Sequence, residues 1–401
     1  MIRTVYLEDS NTPIYRRIVH ALGAELTRRG MEVLLVKPDG FDNATFHQFI
    51  SRAGDGVYIS NGEENAIQQE LSGTEIYFFE TFPGKLIFLH QDAFLGGSSM
   101  LKCVSKLQAW KRVADRSAHL CIEPDNVTDL ASVGITNATV VNHATEIEPT
   151  EPSIDGFEFG ASFVGHVLPS EHMSVGSNPR TQSIANEAIQ LRCSDFSNPL
   201  EPLVKAYSDN ALNGVGDQAD QAILKVACAQ WLRNELTGLT LPLRGWVFEN
   251  CDIQPFTIFG GDPAYMHGIE RNLQVNRAGV SYRPAVYEIP EIKRVFNKSQ
   301  VSINVSTLQF DHAVVNRFLD VIMSGGLCLT DARSGLAELT STHEEVSWRT
   351  LEELHERTAY YSRPENARER SLLIKSIQKD IARSSGYPLL AQAIMRAIGE
   401  L

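Results

Sequence analysis

Short apolar runs alternate with amphipathic ones through the first part of the chain. TVYL (4–7) reads as a strand. IYRRIVHALGAELTRRG follows, with Ile14, Ile18, Leu22 and Leu26 recurring at helical spacing until Gly30 stops the pattern. EVLLVKP reads as a second strand. GVYIS, EIYFF, KLIFLHQD, AHLCIEP and ATVVNHA continue the strand series between polar turns. Strands separated by helices predict a parallel, doubly wound sheet. In such sheets ligands sit beyond the carboxyl ends of the strands. Those ends carry Glu8, Asp9, Ser10 and Asn11, then Asn61 and Gly62, then His90, Gln91 and Asp92.

The pattern breaks at HATEIEPTEPSIDGFEF (143–159), where acids, prolines and threonines replace apolar runs. This reads as a linker. A second series opens with GASFVGH (160–166). Residues 172–216 are polar, and the only regular element expected there is a helix near 181–192. A helix over 217–237 and the strand FTIFGGD (256–262) follow. VSYRPAV, the helix PEIKRVFNKS, the strand VSINVS, and one more helix and strand over 316–331 complete the alternation. Residues 350–400 read as mostly helical, with Gly386-Tyr387-Pro388 setting the last helix apart. The expected organisation is two α/β domains, 1–157 and 158–385, with the helix from 386 to 401 packing back on the first. No internal repeat at a fixed short period is visible.

A chain of 401 residues suits two such domains. Its formal charge of −13 argues against binding nucleic acid mainly through phosphates, although a local basic cleft for a small phosphorylated ligand is compatible with it. The six cysteines form no CxxC pair, so reduced, buried thiols in a cytoplasmic protein are expected. The amino-terminal residues MIRTVYLEDSNTP lack the apolar core of a signal peptide, and no run is long enough for a transmembrane segment.

The stretch NRFLDVIMSGGLCLTDARSGLAEL (316–339) concentrates the chemistry. Asn316, Arg317 and Asp320 share a helical face by spacing. Gly325-Gly326 permits a turn through positive φ, and Asp331 ends the strand LCLT. One reading is structural: a glycine-capped helix, a core strand and a solvated salt bridge between Arg317 and Asp320. The other is functional. A carboxylate can hold a ribose diol, and a guanidinium fork matches a diphosphate.

This stretch resembles the signature of CgeB-like glycosyltransferases, a branch of the group 1 nucleotide-sugar transferases. That signature runs from an Asn-Arg pair and Phe-(Glu/Asp) through a Gly-Gly turn and an apolar strand to Thr-Asp. ASFVGH, FTIFGGD and VSYRPAVYEIPEIKRVFNKSQVSINVS are similar to the order of strands and helix upstream of it. RRIVHALGAELTRRGMEVLLV and VVNHATEIEP are similar, more loosely, to the opening helix and pre-linker strand of many GT-B proteins. The resemblance implies a GT-B fold, with two doubly wound Rossmann-like domains facing across a cleft. It implies a nucleotide-sugar donor held by the C-terminal domain, with Asp320 on the ribose, Arg317 on the diphosphate and Gly325-Gly326 letting the backbone approach. Asn304 and Asn316 join that donor set. The acceptor is a glycan, protein or small molecule and not a nucleic acid. No cofactor or metal is expected. There are two departures: the broader family's Glu-x7-Glu pair maps its second acid to Asp320 and its first to His312, with Asp311 beside it, and the segment 172–216 is longer than the family implies between the first strand and helix of that domain, reading as an acceptor-binding insertion or a loop.

Further candidates come from the strand ends. His90, Asp92 or Asp9, with Glu8 as a rival, are candidates for the general base that an inverting transferase needs. Each also has a structural reading as a loop or capping residue. Gly165-His166 and Gly260-Gly261-Asp262 are glycine turns that either approach phosphates or simply turn the chain. Arg283 sits in an extended loop before Pro284 and is a candidate for a phosphate or base contact with the donor. His143 and HEEVSW (343–348) read as structural and solvated. The expected activity is sugar transfer from a nucleotide donor. Its alternatives are a catalytically degenerate binding or scaffold protein and a GT-B-like sugar-nucleotide epimerase.

Overall fold

The computed structural model describes residues 4–10, 12–37, 49, 53–54, 56–61, 66–69, 75–92, 94–95, 99–174, 181–215, 218–260 and 279–400. The chain divides into two compact units. Unit 1 comprises 1–144, 204–234 and 386–401, and unit 2 comprises 145–203 and 235–385.

Unit 1 contains β1 (Thr4–Glu8), β2 (Glu32–Val36), β3 (Val57–Ser60), β4 (Ala66–Gln69), β5 (Glu75–Tyr77), β6 (Lys85–His90), β7 (Ser117–Cys121) and β8 (Ala138–Val140). Its main sheet is wholly parallel, in the order β2-β1-β3-β6-β7-β8. The two-residue period of a strand sorts its side chains onto two covered faces. Val5, Leu7, Val57, Ile59, Ile87 and Leu89 join one core with Ile18, Val19, Leu22 and Leu26 of the helix Pro13–Arg28. The carboxyl-terminal helix Tyr387–Glu400 adds Tyr387, Leu390, Ala391 and Ile394 to the same core. Tyr6, Tyr58, Leu86 and Phe88 point into the opposite core, with Cys103, Leu107 and Trp110 of the helix Met100–Arg112. EIYFF departs from its expected place in the main sheet. Glu75–Tyr77 pairs antiparallel with β4, and Phe78 and Phe79 turn into a short helix.

Residues 204–234 lie in unit 1, although chain order alone had grouped them with the following domain. Ile223, Val226 and Ala227 of the helix Gln218–Thr237 pack against the Trp110 core. Gln230 Nε2 donates to Asp129 Oδ2 at 3.1 Å and to Asn126 Oδ1 at 3.4 Å.

Unit 2 repeats the architecture with β9 (Phe159–Val164), β10 (Phe256–Phe259), β11 (Val280–Arg283), β12 (Ser299–Asn304), β13 (Cys328–Asp331) and β14 (Ser347–Trp348). The order is β11-β10-β9-β12-β13-β14, again all parallel. The helices Glu201–Ala211, Thr240–Asn250 and the short His343–Val346 are absent from the sequence reading. HEEVSW is not a solvated segment throughout. Val346 and Trp348 are fully buried, and Ser347–Trp348 forms the edge strand.

Candidate functional site

Unit 2 gathers its polar chemistry where β9, β10 and β12 end. Gly165 follows β9, Gly260 follows β10, and Asn304 closes β12. Gly165 N donates to Phe259 O at 2.9 Å, and a Cβ on Gly260 would lie 2.0 Å from Gly165 O. Gly165 holds φ at +147°, and a Cβ there would meet Arg317 Nη2 at 2.7 Å. Glycine alone satisfies both the left-handed backbone and the close approach.

Arg317 rises from the first turn of the helix Asn316–Met323. Its Nη1 donates to Asn304 Oδ1 at 2.7 Å, and its Cζ lies 4.6 Å from the centroid of the Phe163 ring. A second guanidinium, Arg244, comes within 5.5 Å of the same ring. Its Nε donates to Val305 O at 3.1 Å and its Nη1 to His166 O at 3.4 Å. Gly245 makes room for this helix, since a Cβ there would lie 1.8 Å from Leu168 O. Arg244 was missed in the sequence. The signal was present in TLPLRGWVFE, where one arginine interrupts an apolar run.

Burial pushes the Arg244 guanidinium well below its usual range, and the charge of Arg317 pushes it further. Burial also lowers Arg317 to about 10, opposed by Cys328, Asp331 and Asp320. Arg317 is therefore still a cation at neutral pH. Among the described residues, neither guanidinium forms an ion pair with a carboxylate; Asp331 pairs instead with Arg333, at 2.5 Å. Two enclosed like charges that no carboxylate pairs directly define a place for an anion with several acceptor oxygens. Asn316 adds a buried Oδ1 that has no partner among the described residues.

The other sequence candidates of unit 2 fall differently. Gly325 and Gly326 sit at the far end of the helix that starts with Asn316, before β13 begins. A Cβ on Gly325 (φ +80°) would lie 2.8 Å from Thr150 O, and one on Gly326 would lie 2.6 Å from Phe296 O. Both glycines allow the chain to pack closely against those carbonyls. Asp320 is 7% exposed, and its Oδ1 accepts from Thr145 Oγ1 at 2.7 Å. Arg283 is exposed on the edge strand, its Cζ 4.9 Å from the Phe159 ring centroid. Asp311 pairs with Arg192 and accepts from the amides of Leu200 and Glu201, so it caps the helix Glu201–Ala211. His312 Nδ1 lies 3.0 Å from Ser334 Oγ. Gly261 and Asp262 lie outside the described residues, as do Asn11 and Gly62.

In unit 1, His90 is 1% exposed; its ring stacks on His119 and meets Phe94 and Trp110 edge to face. Its Nε2 is 2.9 Å from His119 Nδ1. Burial, then the charges of His119 and Lys106, hold its pKa well below the usual imidazole range. A ring so enclosed offers no atom to a substrate hydroxyl. Asp92 is exposed and accepts from the Tyr15 hydroxyl. Asp9 is half-buried, with Oδ1 accepting from Ser10 N and Oδ2 lying 3.4 Å from Lys37 Nζ. Glu8 is buried and accepts from Ser60 Oγ and Asn61 N, each at 2.9 Å, tying the end of β3 to that of β1. His143 lies buried against Gln91, as a structural histidine should. Among the described residues, no group of three or more His, Cys, Asp or Glu is placed to hold a metal.

Residues 244–387 match a glycosyl transferase-like family. The match begins at Arg244 and includes Arg317. No curated protein matches the sequence. Several solved structures share the fold over nearly the whole chain. T4 phage BGT in complex with UDP and Mn2+ is 11% identical, with 99% of each chain covered and a TM-score of 0.53. Anabaena Alr3699/HepE in complex with UDP and glucose is 10% identical, with full coverage of both chains and a TM-score of 0.52. An alpha-glucosyltransferase in complex with UDP and a 13-mer DNA is 9% identical, also with full coverage and a TM-score of 0.51. The fold is therefore GT-B, built from two Rossmann-like units. Fold and matched segment together make the protein an enzyme of the glycosyltransferase class.

Proposed function

We propose that the protein transfers a sugar from a nucleoside diphosphate-sugar, with UDP as the nucleotide, to an acceptor hydroxyl. The observation that carries this reading is the Arg244–Arg317 pair, enclosed without a carboxylate partner at the ends of β9, β10 and β12. A diphosphate there gains both guanidiniums. Charge that develops on it as the sugar leaves is offset by groups already in place. This supports transfer without a metal. UDP is favoured because the complexes of T4 phage BGT and Anabaena Alr3699/HepE contain it. Asn316 Oδ1 and Asp320 are the proposed acceptors for donor hydroxyls. Asp92, exposed beyond β6, is the proposed general base, and Asp9, already engaged with Lys37, is the second choice. The finer kinship to the CgeB-like branch rests on the 316–331 signature.

The acceptor is proposed to be a glycan, protein or small molecule in the cytoplasm. T4 phage beta-glucosyltransferase is described as a DNA-modifying enzyme, so DNA belongs among the acceptors tried. Among the described residues, no helix is long and apolar enough to cross a membrane.

The test is thermal unfolding and calorimetric titration with UDP, with and without EDTA. A ligand that binds only the folded state raises its melting temperature by mass action. The wild type is expected to be stabilised by UDP equally in EDTA and in Mn2+. Arg244→Ala and Arg317→Ala are each expected to lose the effect. Absence of any UDP effect on folded wild type refutes the reading. UDP binding without turnover against any acceptor or water favours the scaffold alternative, which His312 in the place of the first paired acid keeps in view.

A further inference from the structure

Arg317 is aimed by Asn304, and the polarity of that amide is itself set from behind. Asn304 is completely buried. Its Nδ2 donates to Thr330 Oγ1 at 2.9 Å and to Ser306 Oγ at 3.2 Å. Its Oδ1 accepts from Arg317 Nη1. An amide presents a donor group on one side and an acceptor on the other, and turning it by half a revolution exchanges them. What decides the turn is whether the two hydroxyls offer Asn304 protons or lone pairs. Ser306 Oγ donates to Asp331 Oδ1 at 2.8 Å, and the Thr330 hydroxyl shares its proton between that oxygen at 3.3 Å and Asp331 O at 3.4 Å. Asp331 is fully buried and accepts from Ser306 N as well, at 2.8 Å. An ionised carboxylate only accepts. Asp331 therefore takes both hydroxyl protons, the hydroxyls turn lone pairs toward Asn304, and the amide must present its NH2 to them. Only the carbonyl oxygen is left for Arg317.

We propose that Asp331 is a positioning residue for the donor diphosphate, acting through Ser306, Thr330 and Asn304 to hold the Arg317 guanidinium in its binding orientation. The proposal rests on the reading of Arg317 as a diphosphate ligand. Without the Asp331 carboxylate, the Ser306 hydroxyl is free to donate to Asn304 Oδ1, while Thr330 keeps the backbone carbonyl of residue 331. The amide then turns its NH2 toward Arg317, and a donor faces a donor. The Asp331 charge also favours the charged form of both Arg244 and Arg317, against the burial that lowers them.

The decisive experiment moves the carboxylate along the relay. UDP affinity is measured by calorimetry for wild type, Arg317→Ala, Asp331→Ala, and Asp331→Ala combined with Asn304→Asp. In the double variant the Ser306 hydroxyl donates to Asp at 304, which also pairs with Arg317, and the total charge is unchanged. Asp331→Ala is expected to weaken UDP binding roughly tenfold or more, and the double variant to recover most of that loss. A merely structural Asp331, needed to hold Ser306 N or Arg333, would not be rescued by a carboxylate at 304. Ser306→Ala removes one hydroxyl and little volume, and covers the case in which Asp331→Ala fails to fold. It is expected to bind UDP more weakly at an almost unchanged melting temperature. If wild type binds UDP and Arg317→Ala does not, yet Ser306→Ala and the folded Asp331 variants bind as wild type does, the relay is wrong. If the double variant stays as weak as Asp331→Ala, Asp331 is structural. If wild type itself ignores UDP, the proposed function fails first and the relay with it.

Discussion

At the scale of single residues, the site depends on a glycine as much as on its arginines. Gly165 meets two demands at once, a φ of +147° and a guanidinium nitrogen 2.7 Å from where a Cβ would stand. Gly165→Ala is expected to cost about 1–3 kcal/mol in backbone strain and to displace Arg317. UDP affinity should fall along with the melting temperature. Gly134→Ala is the matched control, because φ is +88° there but nothing lies within 4 Å of the added methyl. It should lower the melting temperature and leave UDP affinity alone. Equal UDP affinity in the two variants would show that Gly165 does not serve the site. Residue placement was legible in the sequence to the extent that Arg317 and Asn304, both singled out there, lie within hydrogen-bond reach of each other. It was illegible where identity alone was the clue. His90 and Asp92 stand two positions apart in the chain, yet one is enclosed by aromatic rings and the other faces solvent.

At the scale of elements, the helix Asn316–Met323 does two jobs at its two ends. Its amino end carries Arg317 toward Asn304. Its carboxyl end needs Gly325 and Gly326 to pass Thr150 and Phe296. The ends of an eight-residue helix lie about 12 Å apart, so one small anion cannot use both. Reading the motif as one corner merged two separate constraints. Elements with clean periodicity, such as Pro13–Arg28, were legible from end to end. Thr240–Asn250 was not, because Pro242 and Gly245 are turn signals in most contexts and both of its sides are buried. The last helix was legible as an element, and it carries a test. Ile394 is fully buried among Val5, Leu22 and Leu390. Ile394→Ala is expected to cost about 2–5 kcal/mol, read as a lower melting temperature with UDP affinity retained in the folded fraction. A change under 0.5 kcal/mol, on the order of a neutral surface substitution, would mean that this helix is not part of the unit 1 core.

At the scale of the whole molecule, two parallel six-stranded sheets of different strand order carry different chemistry, and pH separates them. Hydrophobic patterning made both sheets legible, but it says which face of a helix is buried and not against which unit. That is why 204–234 was assigned by chain order. Unit 1 encloses three neutral histidines. Burial holds His119 near 3 and His143 near 4, and depresses His90 as well. The folded pKa values lie below the unfolded value of about 6.5, so between those limits the unfolded chain binds protons that the folded unit refuses. Stability is therefore complete above about pH 6.5 and is lost as the pH falls toward 4, each such histidine contributing up to about 1.4 kcal/mol per pH unit. Unit 2 answers to a different variable. Arg317, near 10, keeps its charge throughout this range, so UDP should still stabilise folded protein at pH 5.5. Scanning calorimetry at pH 7.5 and 5.5, with and without UDP, is expected to show an acid-induced fall in melting temperature that His119→Phe reduces. The UDP-dependent increment should be preserved in that variant. An acid response unchanged by His119→Phe would place the acid sensitivity elsewhere. Loss of the UDP increment in His119→Phe would show that the donor site depends on the histidine stack, against the assignment of donor binding to residues of unit 2 alone.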